Sequence, residues 1–99
     1  MFKTPYITEV NILGTKVPVT VSEWKCNQEE ADGLCIDTHI YLKEVYDDYE
    51  HFRRCLTHEC FHALCEILGC QLDIHMEETL AHCVSLFFTQ NQLVTSGET

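Results

Sequence analysis

An α+β fold is expected for this 99-residue chain, with a small three- to four-stranded sheet packed on two helices. Three observations predict it. Residues 6–42 are rich in β-branched and aromatic residues and alternate in polarity. From about Asp48 the apolar residues take up helical spacing. Gly69 then divides the helical region in two. A chain of this length forms a single domain with a marginal core. A metal site formed only in the folded state would reinforce it.

Residues 1–42 are mainly β. Tyr6 to Leu13 reads as a strand, Gly14-Thr15 as a turn and Lys16 to Trp24 as a second strand. Val17, Val19 and Val21 share one face of that second strand, and Pro18 puts it partly at an edge, because proline has no N–H for a ladder. Asn27 to Gly33 is polar and reads as a loop. Leu34 to Leu42 is a third strand, or two short ones broken near Asp37-Thr38. The first long helix spans 48–68, where Leu56, Cys60, Leu64 and Ile67 form an apolar face. Its acidic start, Glu44 to Glu50, suits the positive end of the helix dipole. After a connection from Cys70 to Ile74, a second helix spans 75–92, with Leu80, Val84, Phe87 and Phe88 on its apolar side. Residues 93–99 form a small polar tail. Trp24 and the phenylalanines read as core.

The net charge of −10 argues against nucleic acid as a partner, since an acidic surface repels phosphate. No apolar run is long enough to span a membrane, and the first residues lack the apolar stretch of a signal peptide. A cytoplasmic protein is expected, or one in a host cytoplasm if it is viral. Seven cysteines cannot all pair within one chain. Cys55, Cys60, Cys65 and Cys70 recur every five residues and so point in different directions around the helix. Free thiols in a reducing compartment are the natural reading.

The chemistry is concentrated in His58-Glu59-Cys60-Phe61-His62, an HExxH string inside the first long helix. Histidines four residues apart lie one above the other on a helix, so both rings can reach one zinc ion. Glu59 points about a quarter turn away, where it can serve as a general base without occupying a metal position. Two histidines need a third protein ligand. The HExxHxxGxxH pattern fails, because Cys65 and Leu68 stand where it needs Gly and His. The second helix offers Glu77, Glu78 and His82 near its start, and a short turn would fold that end back beside the motif. Its helical phase favours Glu78, with Glu77 as the alternative ligand. His82, one turn from Glu78, could orient a ligand from behind. Cys55, Cys65 and His75 are further metal-ligand alternatives.

These residues resemble those of the gluzincins, which carry HExxH on one helix and a ligand glutamate on the next. Glu78-Thr79-Leu80-Ala81-His82 is similar to the glutamate motif of that class, with His82 where an Asp is common. In scale the chain resembles the minigluzincins and the short ImmA/IrrE-like peptidase domains of bacteria and phages. The likeness covers about residues 33 to 92. It implies a minimal zincin-like fold and a zinc-dependent metallopeptidase holding one Zn2+ per chain. It further implies that Glu59 activates a zinc-bound water to hydrolyse a peptide bond in a protein or peptide substrate. Tyr41, Tyr46, His51 and His75 are candidates for a second group on the oxyanion. The stretch from Ile36 to Leu42 would be an edge strand aligning the substrate. The competing expectation is a weakly active or inactive zinc-stabilised protein-binding module. A third is a latent peptidase blocked by Val94 to Thr99. Oligomeric state is not legible in the sequence.

Overall fold

The computed structural model describes residues 1–91, with side chains to Phe87. The expectations for Phe88, for Gln92 and for the tail of residues 93–99 lie outside the described side chains or residues. The fold is α+β. A mixed four-stranded sheet and a second, two-stranded one pack against the helices.

The chain opens with β1 (Phe2–Lys3), too short for its sequence pattern to reveal. It continues into β2 (Glu9–Ile12) and β3 (Thr15–Val21), which pair antiparallel with Val10 opposite Val17. The turn falls at Leu13-Gly14, one residue earlier than expected. Both residues have positive φ, 51° and 85°, as a tight two-residue hairpin requires, and Asn11 Oδ1 accepts the Gly14 N–H at 2.8 Å.

Lys16 to Trp24 is not all strand. Ser22 ends β3 and caps a short helix, α1 (Glu23–Gln28), by accepting the Lys25 N–H at 3.1 Å. The buried residue of α1 is Cys26. Trp24, two residues away, points outward and is 69 % exposed, so it is not core. The expected loop from Asn27 begins inside this helix.

A second hairpin follows, β4 (Gly33–Ile36) and β5 (His39–Leu42). Its turn is Asp37-Thr38, with φ of 50° and 59°. Of the two readings of this stretch, the broken one is seen. The sheet order is β2-β3-β5-β4, with β3 and β5 parallel. Pro18 is compatible with the interior strand β3. The Val19 N–H reaches toward β2, to Thr8 O at 2.8 Å, so the Pro18 nitrogen faces the other side, where pairing to β5 begins only at Val19.

After β5, the strand β6 (Val45–Tyr46) pairs with β1, setting Phe2 against Tyr46. The long helices are α2 (Tyr49–Leu68) and α3 (Ile74–Asn91), lying antiparallel. Asp48 caps α2 by accepting the His51 N–H at 2.8 Å. Gly69 closes α2 in the left-handed region at φ 68°. A side chain there would be strained, and Gly69→Ala is expected to cost about 1 kcal/mol in urea unfolding.

The core lies between the sheet and α2: Val17, Val19, Ile40, Leu42, Tyr46, Phe52 and Ala63. Leu56, Cys60 and Ile67 of the predicted α2 face pack against it. The phase of α3 differs from its sequence reading. Ala81 and Ser85 are fully buried, whereas Leu80 and Phe87 are 37 % and 53 % exposed. Two helices approach closely only where small residues meet, so the seam selects Ala81 and Ser85 and turns the large apolar residues outward. No described helix is long and apolar enough to cross a membrane.

Candidate metal centre

Regular helical geometry stacks His58 and His62, with ring centroids 5.0 Å apart. Their Nε2 atoms are 3.3 Å apart. The turn between α2 and α3 folds Glu78 over both. Its Oε1 is 3.2 Å from His58 Nε2 and its Oε2 is 3.2 Å from His62 Nε2. These separations match a cation. Donors bound tetrahedrally at about 2.0–2.1 Å stand about 3.3 Å from one another.

His62 Nδ1 lies 2.5 Å from Glu77 Oε2, a short bond in which the ring N–H donates to the carboxylate. In the neutral ring this leaves the Nε2 lone pair turned toward His58 and Glu78, where a divalent cation could take it together with a Glu78 oxygen. His58, His62 and Glu78 thus form a donor set that could hold a metal ion.

Glu77 and Glu78 therefore stand in different places. Glu78 faces the histidine nitrogens from the groove, and Glu77 lies behind His62. Carboxylates commonly hold a ligating imidazole from behind in this way, fixing its tautomer. His82 lines the same groove with an exposed ring and forms no hydrogen bond to His58, His62 or Glu78. The sequence phase kept Glu77 as the alternative ligand, on the side of Leu80 and Val84, and set Ala81 and Ser85 beside Glu78. Glu77, Ala81 and Ser85 instead make one inward stripe at four-residue spacing.

Glu59 is only 7 % exposed and also lines the groove. Burial pushes its carboxyl up to about 7, with Glu78 adding to the rise and His62 opposing it. Burial likewise lowers the basicity of His58, helped by neighbouring His62, keeping the ring neutral as metal binding requires. Gly33 of β4 explains how Glu59 fits. A Cβ at Gly33 would stand 3.2 Å from Glu59 Cγ and 3.4 Å from its Oε2.

The groove has a volume of about 600 Å³ and runs between α2, α3 and β4. The edge strand beside it is β4 (Gly33–Ile36). β5, which makes up most of the expected stretch from Ile36 to Leu42, is interior, between β3 and β4. Of the four oxyanion candidates, only His51 lines the groove. It is seven residues before His58, about 10 Å along the helix, too far to share an oxyanion with the metal centre. Tyr46 is buried and occupied: its hydroxyl donates to Asp32 O at 2.6 Å and accepts the Lys43 N–H at 3.0 Å. Cys65 is buried away from the groove, and His75 is exposed at the start of α3. Cys55 does line the groove, nearer His51 than the histidine pair. All seven cysteines are free thiols.

Comparison of the chain with protein-family models, curated proteins and solved structures gives no match.

Proposed function

We propose that this protein is a zinc-dependent peptide hydrolase in which His58, His62 and Glu78 hold the metal and Glu59 is the general base. The observation that carries the reading is the meeting of three donor groups at 3.2–3.3 Å, with a buried carboxylate on the next residue of the same helix. A zinc ion held there would supply a Lewis acid for a carbonyl and lower the pKa of a water. Glu59 would take a proton from the attacking water and pass it to the departing amine. A carboxyl with a pKa near neutrality can do both. Glu77 holds His62 in the tautomer that presents Nε2 to the groove. The exposed backbone of β4 can pair with an extended peptide laid along the groove.

Metal analysis of protein purified without chelators tests the site. Zinc is expected in the wild type and is expected to be lost from this site in His62→Ala and in Glu78→Ala. Glu77→Ala should retain the ion with affinity lowered about ten- to a hundredfold. Zinc held equally by all four proteins would end the reading. Gly33→Ala should lower kcat roughly tenfold or more at unchanged metal content, since the added methyl displaces the base.

The competing reading is a zinc-stapled protein-binding module. Its support is the exposed apolar stripe Met76, Leu80 and Phe87 on the outer face of α3. Such a module would be indifferent to the loss of Glu59.

A further inference from the structure

We propose that the far end of the same groove is a second metal site, in which Asp32, His51 and Cys55 take a soft divalent cation of the zinc type. One oxygen, one nitrogen and one sulfur donor, from two separate parts of the chain, lie within 4.8 Å of one another. His51 and Cys55 are four residues apart on α2, stacked one turn above the other as His58 and His62 are. Asp32 comes from the segment just before β4. Its Oδ2 is 3.2 Å from His51 Nε2, already the spacing of two donors on one tetrahedral ion.

Asp47 flanks the back of His51: its backbone N–H points to Nδ1 at 3.5 Å and its Oδ2 lies 3.6 Å from the same nitrogen, so the ring presents Nε2 to Asp32. Tyr46 supports the other partner, since its hydroxyl bonds the Asp32 carbonyl and its ring packs edge-on to His51 with centroids 5.2 Å apart. Lys43 is the competing cation. It sits 3.8 Å from Asp32 Oδ1, which leaves Oδ2 turned toward His51. Three side chains leave the fourth position to water or to a ligand in the groove.

The site is separate from the HExxH centre. His51 and Cys55 precede His58 by two turns and one turn, so an ion among them would not share ligands with the first. Its consequence is mechanical. It would tie the residue before Gly33 to α2, fixing β4 against Glu59. Thiolates bind such ions strongly once the proton has left.

Cobalt(II) loading of the full-length protein tests this independently of the proposed hydrolase. The donor set His58, His62 and Glu78 contains no sulfur, so a thiolate-to-cobalt charge-transfer band reports only the second site. Two cobalt ions per chain and such a band are expected. Cys55→Ser should abolish the band and remove one ion, while Cys35→Ser, at another thiol of the groove, leaves both. Asp32→Asn, at an exposed position, should shift the cobalt midpoint of the band tenfold or more without disturbing the circular dichroism. His62→Ala should lose one ion and keep the band. If His62→Ala loses none while the Cys55 band remains, the hydrolase reading fails and this one stands. A single ion without a sulfur band, or a band that survives Cys55→Ser, overturns the second site.

Discussion

Glu59→Gln is expected to lower peptide hydrolysis by about 10²- to 10⁴-fold while leaving zinc content and fold intact. Gln keeps the shape of the side chain and removes only its ability to take a proton. Glu59 is not one of the three residues, His58, His62 and Glu78, that could hold a metal ion. The measurement is kcat/KM on a peptide mixture resolved by mass spectrometry, with metal analysis on the same samples. Full activity in the variant would remove Glu59 from the mechanism. No hydrolysis by either protein, with zinc bound, would favour the binding module.

The same substitution carries a stability signature in metal-free protein. Burial raises the Glu59 carboxyl from 4.5 to about 7. Between those values the native state holds more protons than the unfolded chain, so stability falls as pH rises through the window. Above pH 7 the buried charge costs about 3 kcal/mol. Urea unfolding in chelator should therefore show Glu59→Gln equal to wild type near pH 4 and more stable by up to that amount near pH 8. The lowered pKa of His58 acts in the opposite sense, costing stability as pH falls below 6.5. It is present in both proteins and cancels in the difference. A pH-independent difference would contradict the buried, raised carboxyl.

Chelation is expected to produce the second large effect. An ion that binds only the native state at a thousandfold above its Kd adds about 4 kcal/mol. In a domain of this size that corresponds to a Tm drop on the order of 20 °C when the ion is removed. Differential scanning fluorimetry with and without a strong chelator measures it, and zinc should restore the Tm. His62→Ala and Glu78→Ala should start lower and respond less. A Tm unmoved by chelator in protein shown to contain zinc would mean the site contributes nothing to the fold.

Sequence by itself determined the features that depend on neighbours along the chain. The stacking of His58 over His62 follows from helical rise, and the limits of α2 follow from Asp48 and Gly69 acting on the backbone beside them. The break at Asp37-Thr38 was one of two readings the sequence left open, and the structure shows the hairpin turn there. The α+β class followed from two apolar periods in one chain.

Tertiary structure decided whatever depends on which surfaces meet. The roles of Glu77 and Glu78 turn on the rotation of α3, and that rotation is set by the small residues Ala81 and Ser85 at the seam. A sequence weighting by hydrophobicity gives such residues little say and chooses Leu80 and Phe87 instead. Gly33 reads as part of a polar loop until β4 is seen to run past Glu59. Asp32 is nineteen residues from His51, and only the packing of the β4 edge against α2 brings them together. Local hydrogen bonding fixes a helix and the spacing on its face. Close packing across helices and sheet fixes which of its neighbours that face will meet.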